Sequence, residues 1–130
     1  MANSTRSQEG DKVRREVLGN EWVDPQVARA KGDPFRQVIQ EYLTECCWGY
    51  AWTRPGLPRK TRSMLNLVML TALDKQEELR GHVRGALRNG CTREEIAEVL
   101  LHATVYAGTP AGVAAFRSAA EVFDELDGKK

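Results

Sequence analysis

The chain has 130 residues, enough for one domain with a real core. Its 19 basic residues stand against 18 acidic ones, a formal net charge of +1, which lacks the basic excess that marks nucleic-acid binders. No apolar run approaches the roughly 20 residues needed to cross a bilayer, and the polar stretch from Met1 to Gly10 has no secretory core. Three cysteines, two of them adjacent, make a poor disulfide framework and predict a reducing cytoplasm.

Residues 1–11 read as a flexible arm ahead of a domain spanning 12–127. Lys12 to Leu18 predicts a short helix closed by Gly19-Asn20, both suited to a left-handed helix end. Residues 24–31 add a further turn or two. Asp33-Pro34 pairs an N-cap with proline at the first helical position, where its missing N–H costs nothing. From there Phe35, Val38, Ile39, Tyr42, Leu43 and Cys46 recur at helical spacing, which carries the helix to about Trp48 or Trp52.

A helix starting near Pro58 continues to Leu73, and Asp74 is placed to cap the next, which ends at Asn89-Gly90. Thr92-Arg93-Glu94-Glu95 is a capping box that opens a helix to about Gly108. Pro110 starts a last helix through Leu126. With no β-type alternation, the fold class is all-α, a compact bundle of five to six helices. The 59–73 helix is apolar on nearly every side in its second half, so it needs cover all round and predicts a homo-oligomer.

The segment Trp48-Gly49-Tyr50-Ala51-Trp52-Thr53-Arg54-Pro55-Gly56-Leu57 is the most informative in the chain. Aromatic residues and an arginine beside a buried helix describe either a lined cavity with a fixed cation, suited to a small anion, or a Trp-rich packing corner.

His82 has Glu78 one helical turn before it, and an imidazole beside a carboxylate titrates near neutral pH, where it can give and take a proton. Glu98, His102 and Tyr106 form a polar line on an otherwise apolar helix, and Arg62 and Asn66 form a similar pair. Such lines also serve as buried hydrogen-bond networks that fix helix pairing. Glu98 and His102 have metal-compatible spacing, but nothing completes a shell, so no metal is expected. Cys46-Cys47 is no C-x-x-C pair, and Cys91 reads as packing.

Trp48-Gly49, Trp52 to Leu57, Thr61-Arg62-Ser63 and the stretch from Glu77 to Pro110 resemble the γ-carboxymuconolactone decarboxylase family. Within that stretch lie Glu78-Leu79, His82-Val83-Arg84, Asn89-Gly90, Arg93 to Ile96, Glu98 to Leu101 and Tyr106-Ala107-Gly108. Val13 to Gly19 fits as well, so the resemblance covers most of residues 12–124. It implies an all-helical fold like that of the alkylhydroperoxidase D-like proteins, a ring of six chains and no cofactor. The redox members of that superfamily carry two thiols ahead of a histidine. Aligned on His82, those places hold Lys75 and Glu78, and Ser63 stands where they keep a proton-relaying Glu, so peroxidase chemistry is not expected.

The family reaction removes a ring carboxylate as CO₂ from a small anionic lactone that carries a second carboxylate on an acetate arm. On this resemblance Arg54 and Arg62 hold the carboxylates, and His82, next to Glu78, is the general acid. His102 or Tyr106 donates to the enolate oxygen, and Trp48 and Trp52 wall the ring from water. Two departures bear on the substrate. Tyr50 stands where the family usually has Asp or Glu, and Cys46 where it often has His or an aromatic. Another lyase or isomerase on a lactone or oxo acid, or a non-catalytic ring-shaped binding protein, are the alternatives.

Overall fold

A computed structural model describes residues 4–129. These form seven α-helices and one π-helical segment, with no strand among the described residues. The class is the all-α one expected. No helix among them is long and apolar enough to cross a membrane. The chain groups into two compact units, one ending at Pro58 and one beginning at Arg59.

In the first unit α1 is Thr5–Leu18, so residues expected as an arm are helical from Thr5 onward. The Ser4 hydroxyl caps this helix by accepting from the Ser7 N–H at 3.0 Å. Residues 1–3 of the expected arm lie outside the described residues. The reason for the miss is chemical. What α1 buries in its first turns is small rather than apolar, Ser7 and Gly10. A Cβ at Gly10 would stand 1.9 Å from the Thr44 carbonyl oxygen, and one at Gly49 would stand 2.4 Å from that of Arg6. Thus α1 meets the π-helical segment backbone to backbone, and only glycine permits it.

Gly19 ends α1 with φ of 88°, a left-handed value, as expected. Asn20 does not belong to the stop; it begins α2, Asn20–Ala30, which is longer than the turn or two expected. Asp33 caps α3, Pro34–Tyr42, accepting from Phe35 N–H at 3.1 Å and Arg36 N–H at 3.3 Å. The helical path then continues as expected to Ala51, but Leu43–Ala51 is π-helical. It closes with the Trp52 N–H on the Cys47 carbonyl at 3.0 Å.

α3 packs against α2 and the π-helical segment, yet none of its residues is buried. Phe35 is 88% exposed, and Val38, Ile39 and Tyr42 are exposed with it. The inward side carries Gln37 and Gln40. The apolar face read from the spacing is real, and it points out. The unit's core is Val13, Val17, Leu18, Val23, Trp48 and Trp52, flanked by Trp22 and Leu43.

The second unit holds α4 (Arg59–Ala72), α5 (Gln76–Arg88), α6 (Arg93–Ala107) and α7 (Thr109–Leu126). Its core joins Leu67, Leu79, Val83, Ala86, Cys91, Ile96, Leu100, Ala115, Ala119 and Val122. The expected capping box at Thr92 is present in both directions, Glu95 N–H to Thr92 Oγ at 3.0 Å and Thr92 N–H to Glu95 Oε1 at 2.9 Å. Asp74 does not cap α5. It has a φ of 56°, Lys75 takes the capping position, and the Asp74 carboxylate accepts from Gln76 instead. On α4, Ser63, Leu67 and Thr71 are buried while Leu65 and Met69 stay exposed, as does Leu73 just past its end, so this chain alone does not cover the helix all round.

Candidate functional site

The expected site residues fall in both units. In the first, Trp48 and Trp52 stack with ring centroids 4.8 Å apart and planes 26° apart. Both are buried among valines and Leu18, so of the two readings offered, the packing corner describes them. Tyr50, between them in sequence, is exposed, because the π-helical turn carries its side chain out of the core. Arg54 is exposed too, and its Nη1 donates to the Tyr50 hydroxyl at 3.3 Å with its guanidinium 5.4 Å from the ring centroid. A second guanidinium, from Arg6, lies over the same ring at 5.2 Å. Arg6 belongs to the stretch taken for an arm, and it escaped notice there.

The same unit buries a full cation. Arg14 is 2% exposed, its Nη1 on Gln40 Oε1 at 2.9 Å and its Nη2 on Gln26 Oε1 at 2.7 Å. Its Nε finds no acceptor among the described residues. Burial pulls its pKa down, although a guanidinium still holds its proton at neutral pH. Gln40 also lines an open cavity of about 570 Å³ with Ser7, Asp11, Val27, Gln37 and Thr44. None of the expected site residues lines that cavity.

In the second unit His82 is partly buried on α5, and α4 brings Asn66 to it, with Nδ2 3.4 Å from the imidazole Nδ1. With the amide donating, the imidazole proton sits on Nε2. The expected neutral-range titration does not hold. Burial pushes the His82 pKa down to about 4, so the ring is uncharged near neutral pH. Glu78, expected to hold it up, is exposed. Desolvation wins over a carboxylate that water screens.

His102 and Tyr106 sit together on the outer side of α6, their rings 5.2 Å apart and tilted by 46°. Both are exposed, as is Glu98, so in this chain the polar line on α6 is a solvent face and not a buried network. Arg62 is partly buried on α4. Buried Ser63 accepts from Asn89 Nδ2 at 2.9 Å. Cys46 and Cys47 are exposed and Cys91 is buried, all as free thiols. No group of three or more His, Cys, Asp or Glu among the described residues could hold a metal ion.

Three groupings therefore stand: Tyr50 with Arg6 and Arg54, His82 with Asn66, and His102 with Tyr106. The family model for carboxymuconolactone decarboxylases matches residues 37–121, and the chain belongs to this family. It is 41% identical to a 4-carboxymuconolactone decarboxylase of Acinetobacter baylyi over 126 residues, 97% of this chain and 92% of that one. It is also 48% identical to a nitrosuccinic acid decarboxylase of Metarhizium robertsii over 107 residues, 82% of this chain and 73% of the relative.

Proposed function

We propose that this chain is a carboxy-lyase that decarboxylates 4-carboxymuconolactone to 3-oxoadipate enol-lactone in the protocatechuate branch of aromatic catabolism. The observation that carries the reading is the 41% identity to such a decarboxylase along nearly the whole of both chains. In the reaction, the bond from the ring carbon to its carboxylate breaks and CO₂ leaves. The electron pair moves through the ring double bond onto the lactone carbonyl, and one proton from solvent ends on a ring carbon. The lactone is the electron sink, so neither a metal nor a Schiff base is required.

Arg54 and Arg62 hold the substrate carboxylates. His82 transfers the proton. It is neutral without ligand, and a dianion docking nearby raises its pKa, so substrate binding itself draws in the proton that the enolate needs. His102 and Tyr106 donate toward the enolate oxygen.

The working form is a cytoplasmic homo-oligomer, a ring of six chains. Support comes from apolar faces left uncovered in one chain, Phe35, Val38, Ile39 and Tyr42 on α3 and Leu65 and Met69 on α4, with Leu73 just beyond it. Light scattering tests this, since a particle of 14.6 kDa at micromolar concentration would exclude it.

A second substrate is favoured by the 48% identity to the nitrosuccinic acid decarboxylase. Nitrosuccinate is also a dicarboxylate whose departing carboxylate sits on a carbon bearing an electron-accepting group. Here a nitro group would take the electron pair as a nitronate. Turnover of both compounds, followed by CO₂ release, decides between them. Failure on the carboxylactone removes the leading reading.

A further inference from the structure

Leu67 on α4 and Val83 on α5 are fully buried in one core, and each has a polar neighbour in sequence, Asn66 and His82. The packing of these two helices sets the Asn66 amide against one ring nitrogen, with Nδ2 3.4 Å from Nδ1. Both side chains are partly buried. The amide N–H donates to the Nδ1 lone pair, which leaves the ring its one proton on Nε2. This arrangement suits the uncharged imidazole that burial favours. It does not suit the charged one. An imidazolium carries N–H on both nitrogens, and one N–H cannot accept from another.

A proton added to the neutral ring enters at its lone pair, and that lone pair faces Asn66. An amide has a second option. Turned over about its Cβ–Cγ bond it presents Oδ1, which accepts from Nδ1–H. We propose that Asn66 is a positioning residue for the decarboxylation, whose amide donates to Nδ1 of the resting ring and turns to accept from Nδ1–H once the ring is charged. The proton balance then closes. A solvent proton adds to Nδ1, and the Nε2–H bond breaks as its proton passes to the substrate ring carbon. The imidazole is left neutral, with its proton on Nδ1 against Oδ1. Exchange with water returns the proton to Nε2 and the amide to its first orientation. A carboxylate in this place could serve only the charged ring, since it has no N–H to offer, and it would favour that charge before substrate arrived. The amide follows both states and leaves the change of charge to the bound dianion.

This role rests on the decarboxylase reading, and its first test needs no substrate. Nitrogen magnetic resonance of isotope-labelled histidine near neutral pH tells the tautomers apart, with the His82 signals assigned by their loss in His82→Asn. In the free protein the ring is expected to carry Nε2–H and a bare Nδ1. The saturated carboxylactone lacks the double bond through which the electron pair leaves, so it binds without turnover. Loading it is expected to place N–H on both nitrogens. Asn66→Leu, similar in shape and apolar, should mix the tautomers. It should also lower kcat about 10²-fold, the lower end for a positioned acid or base, with KM nearly unchanged. Asn66→Asp should raise the His82 pKa above that of wild type. A free wild-type ring protonated on Nδ1 overturns the proposal and leaves the reading intact, as does a loaded ring whose Nδ1 stays bare. Wild-type tautomer and kcat in folded Asn66→Leu, or an unmoved His82 pKa in folded Asn66→Asp, overturn it too. Wild type that fails to turn over the carboxylactone removes the reading and the step built on it.

Discussion

The two units handle a buried basic group in contrasting ways. In the unit ending at Pro58, the Arg14 guanidinium is surrounded by protein and keeps its charge, with Gln26 and Gln40 taking the place of water. In the unit beginning at Arg59, the His82 imidazole meets burial by giving up its proton, with Asn66 as its polar neighbour. The difference lies in intrinsic basicity. A guanidinium cannot be discharged near neutral pH and must be solvated by the fold, while an imidazole sits close enough to neutrality for desolvation to decide its state. The first group is therefore a fixed part of the scaffold. The second is a proton site that a bound charge can reset.

The contrast breaks most sharply on His82. His82→Ala should lower kcat about 10²- to 10⁴-fold while substrate still binds, the usual range for a positioned acid or base. Near-normal turnover would make His82 a structural residue like Arg14. Next in size, Gly10→Ala should cost about 2–3 kcal/mol, because backbone at Thr44 cannot yield as a side chain would. Chemical denaturation monitored by circular dichroism measures this. Arg14→Met should cost about 1–3 kcal/mol by stranding two glutamine oxygens. Unchanged stability there would show that the guanidinium adds nothing to the scaffold.

How much of this was legible beforehand also divides along the chain. In the second unit, Leu79, Val83 and Ala86 on α5 and Ile96, Leu100 and Ala103 on α6 face the core, so the helical period in the sequence marks the buried side. Thr92 and Glu95 identify a helix start from local chemistry alone. In the first unit the same period misleads, since Phe35, Val38 and Ile39 point outward and small residues such as Ser7 and Gly10 point in. The π-helical turn has no sequence signature, so the emergence of Tyr50 between two buried tryptophans could not be seen. Asn66 was visible as one of a pair with Arg62, but its contact with His82 depends on how α4 and α5 pack. The His82 pKa depends on burial, which spacing to Glu78 does not encode.

A smaller effect sharpens the comparison through pH. The His82 pKa is lowered from 6.5 to about 4 on folding, so the unfolded chain binds more protons than the folded one between these values. Its contribution to stability is fully present above about pH 6.5 and is lost as pH falls toward 4. His82→Asn should therefore lose less stability than wild type between pH 6.5 and 4.5 in thermal melts, and parallel curves would refute this. The least effect belongs to the thiols. Cys46→Ser with Cys47→Ser should leave turnover unchanged, since both are exposed, while adding Cys91→Ser should cost about 1 kcal/mol of stability from its buried place. Lost turnover in the folded double variant would reopen thiol chemistry.

The π-helical segment also makes this region sensitive to chain length in a way that ordinary helices are not. Its wider turns hold more residues than α-helical turns spanning the same distance. Deleting one residue between Leu43 and Gly49 offers the backbone a route to ordinary α-helical bonding, which closes the widened turn around the missing residue. Trp52 then keeps its place in the core, whereas an insertion that the backbone answers with α-helical turns rotates everything after it by about 100°. Point substitutions on the outward side of this stretch are mild by comparison. Selection acting here would guard the number of residues more closely than the identity of most of them.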